Sequence, residues 1–149
     1  MRLFLDTSAL AKLFIPEAGT AELSAMVSQA DVEIWVSELA RLEFHSLARG
    51  RYREQSLDAQ QVTTLLSELD QQLEAWQVID LTTAVLSTAR ELLAEHAPQH
   101  ALRTLDAIQL ASFMVVLEEG AATFVCADHR LCAVASVRGE SVYNPVEGR

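Results

Sequence analysis

Short runs of strand-type residues recur along the chain, and between them apolar residues return at helical spacing. The runs are Leu3-Phe4-Leu5, Val32-Glu33-Ile34-Trp35-Val36, Trp76 to Asp80, Thr123-Phe124-Val125-Cys126 and a short Ser141-Val142-Tyr143. Strands that alternate with helices leave few folds open, because each helix must cross over and return the chain to a parallel neighbour. The expected architecture is therefore α/β, with a mainly parallel central sheet of four to five strands. The predicted helices cover Ser8 to Ile15, closed by Pro16; the region of Leu23, Met26 and Val27; and Glu38 to about Arg53, capped by Ser37. Others span Asp58 to Leu73, Thr82 toward Ala97 and Pro98, Thr104 to Glu118 with Gly120 as the stop, and Asp128 to Val137. In open sheets of this kind, ligands lie at the carboxyl ends of the strands. Asp6 and Asp128 each stand just past such an end.

With 149 residues, half of them apolar and few aromatic, the chain is expected to form one domain, residues 1–149, around a core of Leu, Val, Ala and Ile. Its formal charge of −10 argues against holding nucleic acid by bulk electrostatics. Cys126 and Cys132 have no His or Cys nearby at zinc spacing, so both read as small buried residues in a reducing cytoplasm. Asp6 and Lys12 interrupt what would be the apolar part of a signal peptide, and no export is expected. The longest apolar stretch, Ala107 to Leu117, contains Gln109 and Ser112 and falls far short of the roughly 20 residues that span a bilayer. No membrane role is expected.

Acidic residues are frequent here, so only unusual surroundings single one out. Glu43 has Leu39 and Leu47 four residues away on either side, which puts a carboxylate on an apolar stripe. Desolvating an unpaired carboxylate costs several kcal/mol, so Glu43 must be protonated, paired or bound to a cation. Asp106, between Leu102 and Leu110, repeats the pattern. It also admits a local explanation: with Thr104 as cap it would lie in the first turn of a helix, favoured by the dipole and within reach of Arg103. Asp6 and Asp128 admit capping in the same way. The alternative is that all four converge. Four carboxylates in one pocket repel unless cations neutralise them, and an oxygen-only ligand set favours Mg²⁺ or Mn²⁺. Such a site suits phosphodiester chemistry, because one ion lowers the pKa of an attacking water and a second can stabilise the leaving oxygen.

Asp6-Thr7-Ser8-Ala9-Leu10, followed by Lys12-Leu13 and Pro16-Glu17, resembles the opening motif of PIN-domain ribonucleases, and in particular of VapC-type toxins from toxin–antitoxin pairs. Ser37-Glu38 through Glu43, Leu105-Asp106-Ala107-Ile108-Gln109-Leu110-Ala111, Cys126-Ala127-Asp128-His129-Arg130-Leu131 and Tyr143-Asn144-Pro145 continue the resemblance in order. It implies a PIN-like three-layer α/β/α sandwich and a Mg²⁺-dependent endoribonuclease, with Mn²⁺ as the alternative ion, acting as the toxin of such a pair. Asp6, Glu43, Asp106 and Asp128 correspond to the metal-binding quartet, and Ser8 to a hydroxyl that orients a water or phosphate. The implied partners are an RNA substrate, a cognate antitoxin protein and a second copy of the chain in a homodimer. Where the family often has Thr or Ser two residues before the last aspartate, this chain has Cys126.

Arg41, Arg49, Arg51 and Arg53 form a basic run that reads either as a solvated helix end or as an RNA or antitoxin contact. Residues 54 to 89 carry six acids and no Lys or Arg; with the quartet's four charges removed as well, the rest of the chain sums to zero. By resemblance, the first four helices form the groove for the antitoxin's tail. His45 and His129 are read as bystanders, His96 and His100 as surface residues of a loop around Pro98, and Trp35 and Trp76 as core. A phosphatase with an aspartyl nucleophile is disfavoured because position 8 is Ser, where that chemistry typically wants a second Asp. A non-toxin PIN nuclease, or a non-catalytic PIN scaffold binding RNA or protein, is the alternative reading.

Overall fold

The computed structural model describes residues 1–149. Its centre is β1 (Arg2–Leu5), whose three apolar residues are fully buried. In chain order there follow α1 (Thr7–Leu10), α2 (Thr20–Val27), β2 (Glu33–Ser37), α3 (Glu38–Arg53), α4 (Ala59–Ala75), β3 (Gln77–Ile79) and α5 (Thr83–His100). The chain ends with α6 (Thr104–Glu118), β4 (Thr123–Val125), α7 (His129–Val137) and β5 (Val142–Tyr143). All four strand pairings are parallel, in the order β3-β2-β1-β4-β5. The expected sheet is thus at the upper end of its strand count and wholly parallel.

Side-chain alternation along the strands builds the two outer layers. Leu3 and Leu5 point to one face and join Leu10, Leu23, Val36, Phe44, Leu66 and Leu69, carried by α1 to α4 and β2. Phe4 points to the other face, where Phe113 and Phe124 lie at ring-centroid distances of 5.8 and 5.7 Å and α5 to α7 close the layer. Phe4 also pairs in register with Phe124 of β4 and Trp35 of β2, so one side chain braces three strands. Trp35 and Trp76 pack against these cores, as expected. Both cysteines are buried and unpaired. No helix is long and apolar enough to cross a membrane.

Two helix boundaries differ from the sequence reading. The helix after Asp6 does not run to Ile15: α1 is one turn, followed by a 3₁₀ turn at Ala11–Leu13. An α-helix would need the N–H of residue 16 for the Lys12 carbonyl, and Pro16 has none. The Thr20 hydroxyl donates to that carbonyl instead, at 3.0 Å. The second difference is at Pro98, which lies inside α5 rather than ending it; Ala101 at φ 50° makes the stop. His96 is consequently not a surface loop residue. It is 6% exposed, and its Nε2 lies 3.4 Å from Arg138 Nη1.

Candidate active site

Local rules put one carboxylate at each of two adjacent strand ends. Asp6 follows β1 and caps α1, its Oδ1 accepting from the Ala9 N–H at 2.9 Å. Asp128 follows β4 and caps α7, accepting from the N–H groups of Arg130 at 2.8 Å and Leu131 at 3.4 Å. Because β1 and β4 are parallel neighbours, the two caps emerge on the same edge of the sheet. The other two acids arrive on helices. Glu43 lies in α3, which Ser37 caps by accepting from the Leu39 N–H, and Asp106 lies in the first turn of α6. The cap residue of α6 is Arg103 rather than Thr104, and the Arg103 N–H donates to Asp106 at 3.3 Å.

All four acids line one open cleft of about 570 Å³, with Thr7, Ser8, Arg103 and Gln109 among the other polar residues at its wall. Burial pushes the Asp6 carboxyl up to about 6, against the hydrogen bonds from Ser8 and Ala9 that favour its charged form. For Asp128 burial also acts upward, but the Arg130 and Leu131 N–H groups and the Arg130 guanidinium outweigh it and hold the carboxyl below the usual range. Glu43 meets the cost of its apolar stripe with neutral donors. Its Oε2 accepts from the Thr7 hydroxyl and from Gln109 Nε2 at 2.8 Å, and the same Gln109 nitrogen donates to Thr7 Oγ1 at 2.8 Å. This triangle ties α1, α3 and α6 together at the cleft wall.

Ser8 is occupied by its neighbours. Its hydroxyl contacts both Asp6 oxygens, at 2.7 and 2.9 Å, and accepts from the Ala127 N–H at 2.8 Å, which fastens the end of β1 to the loop after β4. Cys126 stands beside it, Sγ to Oγ 4.0 Å, with its thiol pushed up by the Cys132 hydrogen bond and by burial. Arg41, Arg49, Arg51 and Arg53 are not brought into the cleft; Arg41 lies 3.5 Å from Glu38, one turn back on α3. His45 is absent from the lining, and His129 Nδ1 is 2.7 Å from Glu147 Oε1. Sequence reading missed Gln109 and Thr7 as partners of Glu43. The one signal for Gln109 was a polar residue inside an apolar helical run, a single turn beyond Asp106.

The donor set suits a hard divalent cation: four carboxylates, no thiolate or imidazole, and a buried Asp6 that no cation neutralises. As the side chains stand, they do not close into a group of three or more metal-ligating residues. Asp6 and Glu43 accept hydrogen bonds from Ser8 and Gln109, and the guanidinium of Arg103 lies against Asp106 and Asp128.

A family model described as PIN domain matches residues 3–137. The chain belongs to the PIN-domain family. Within that family, this PIN domain is 35% identical over 133 residues to Ribonuclease VapC47 of Mycobacterium tuberculosis, covering 87% of this chain and 86% of the relative. Among solved structures it resembles the sarcin-ricin-loop-cleaving toxin VapC20 of Mycobacterium tuberculosis, with a TM-score of 0.65, 19% identity, and 88% and 93% of the two chains covered. It also resembles FitAcB from Neisseria gonorrhoeae, at a TM-score of 0.68, 16% identity and 96% and 97% coverage. A third is VapBC2 from Rickettsia felis bound to a promoter DNA fragment, at 0.65, 15% identity and 97% and 98% coverage. This PIN domain thus stands with the VapC-type ribonuclease toxins, and the structural neighbours share its α/β/α sandwich.

Proposed function

We propose that this PIN domain is a divalent-metal-dependent endoribonuclease, using Mg²⁺ or Mn²⁺, and the toxin of a toxin–antitoxin pair. The observation that carries the reading is the convergence of Asp6, Glu43, Asp106 and Asp128, from four separate elements, on one cleft at the carboxyl edge of a parallel sheet. Asp6, Asp106, Asp128 and Glu43 would hold the ion, which when bound lowers the pKa of the attacking water and stabilises the leaving oxygen. The protein's own contribution is to aim these carboxylates. Ser8 orients Asp6, the backbone N–H groups at the start of α7 orient Asp128, and Thr7 with Gln109 fixes Glu43.

An antitoxin partner fits a second groove. Leu57, Leu65, Phe14, Ile15 and Pro16 line it, with Glu68 at its rim and the acidic 54–89 stretch alongside. A solved structure of the same fold, at a TM-score of 0.62 and 17% identity, is a toxin–antitoxin complex from Klebsiella pneumoniae, and by that likeness a basic amphipathic antitoxin segment would lie here. The deeper apolar stripe of α4, at Val62, Leu66, Leu69 and Leu73, is core and is not available for docking. Arg41, Arg49, Arg51 and Arg53 would contact RNA beyond the cleft or the antitoxin, and the active assembly would be a cytoplasmic homodimer. The decisive test compares wild type, Asp6→Asn and Asp106→Asn on structured RNA with Mg²⁺ and with EDTA. Cleavage only by wild type and only with Mg²⁺ is expected; undiminished cutting by either variant, or in EDTA, removes the reading. Normal growth of a host that expresses the active protein alone would leave a nuclease without the toxin role.

A further inference from the structure

Among the residues that line the cleft, Arg103 is the only cation among four carboxylates. Its Nε lies 3.0 Å from Asp106 Oδ2, and its Nη2 contacts Asp106 Oδ1 at 3.5 Å and Asp128 Oδ2 at 3.4 Å. One nitrogen thus stands between the start of α6 and the end of β4, against both carboxylates. The backbone under it is fixed, because Leu102 is buried and Arg103 is the cap residue of α6. The side chain is not fixed. It is 57% exposed, and its partners Asp106 and Asp128 are 15% and 29% exposed. A half-exposed guanidinium on such contacts is held only weakly, so the bridge is cheaply broken. A guanidinium that leaves a carboxylate keeps a planar fork of donors suited to a phosphate.

We propose that Arg103 is an exchangeable counter-ion of the cleft: it cross-links Asp106 and Asp128 while the cleft is free of metal, and leaves them to take an RNA phosphate when a divalent ion is held there. The proposal rests on the metal-dependent reading above. Arg103 and the ion compete for the same carboxylate oxygens, whereas Arg103 and RNA cooperate. Removing the guanidinium should therefore move the two affinities in opposite directions. A residue that merely supports the pocket would weaken both ligands, and a general change of surface charge would act equally at Arg130, whose guanidinium lies 3.6 Å from Asp128 without reaching Asp106.

The experiment measures Mn²⁺ binding to RNA-free protein by electron paramagnetic resonance. In parallel it measures binding of a cleavage-resistant structured RNA hairpin to the same variants in saturating Mn²⁺, with Asp6 left intact. Arg103→Gln is expected to bind Mn²⁺ about three- to tenfold tighter, the equivalent of losing two exposed ion pairs, and the hairpin several-fold more weakly. Arg103→Lys, which keeps the charge without the fork, should recover only part of the RNA affinity, and thermal melts verify that each variant is folded. Unchanged or weaker Mn²⁺ binding in Arg103→Gln, or the same gain in Arg130→Gln, overturns the counter-ion role while the metal reading stands. If wild type instead binds no Mn²⁺ that Asp106→Asn removes, the metal reading fails first and the counter-ion role fails with it.

Discussion

The ends of β1 and β4 are adjacent, parallel and built alike: a buried strand, then an aspartate that caps the next helix. Their electrostatics are opposite. Asp6 is 4% exposed, and burial outweighs the hydrogen bonds it accepts from Ser8 and Ala9, so its charged form is disfavoured. Asp128 is more open, accepts two backbone N–H groups and lies near the guanidinium groups of Arg103 and Arg130, so its charged form is favoured. Capping therefore does not set the state of a carboxylate; what covers it does. The cleft has one acid that needs a cation and one already provided with two, and an incoming ion gains most by relieving the first.

The harshest way to break the comparison is to remove the side chain that holds both strand ends in line. Phe4→Ala should lower stability by about 3–5 kcal/mol, because a fully buried ring is lost between β1 and β4; a denaturant titration checks it. The next effect separates the two aspartates by pH. The folded state holds the Asp6 proton up to about pH 6, against an ordinary 3.8 when unfolded. It binds more protons than the unfolded chain in that window. Stability of the metal-free protein should thus fall as pH rises from about 4 to about 6, by up to about 3 kcal/mol. Asp128, held below the usual range, contributes in the opposite sense: its stabilisation is present above the ordinary carboxylate value and is lost as pH falls through the lowered one. Melting temperatures in EDTA should show the falling slope vanish in Asp6→Asn and persist in Asp128→Asn. An Asp6→Asn protein with the wild-type slope would contradict the assignment.

Smaller effects sharpen the contrast between the strand-end acids and those on helices. Gln109→Leu removes a donor from Glu43 and leaves Asp6 and Asp128 untouched, so RNA cleavage should drop about 10- to 100-fold with little change in the Asp6 slope. Arg130→Gln should have the smallest effect, below about 1 kcal/mol in a urea melt, because its contact with Asp128 is long and exposed and the backbone N–H bonds stay.

Much of this was legible along the chain. The alternation of strand-type and helix-period segments specified the parallel sheet, and Ser37 caps the helix that follows it. Glu43 stood out because a carboxylate on an apolar stripe demands partners. The Pro16 region and α5 were less legible: a hydroxyl four residues beyond Pro16 takes up the Lys12 carbonyl, and α5 runs through Pro98 to stop at Ala101. That Thr7 and Gln109 are the partners of Glu43 was not readable, because they lie 36 and 66 residues away.

The sequence by itself determined where each carboxylate sits on its own element, since periodicity and capping act within a few residues. Only the tertiary structure decided which of them lose their water, which meet an arginine and which meet an amide. Desolvation and charge pairing act through space, between residues that parallel crossovers bring together from distant parts of the chain. For that reason two aspartates with the same local role titrate in opposite directions, and Arg103, whose sequence neighbour is Asp106, also reaches Asp128 twenty-five residues on.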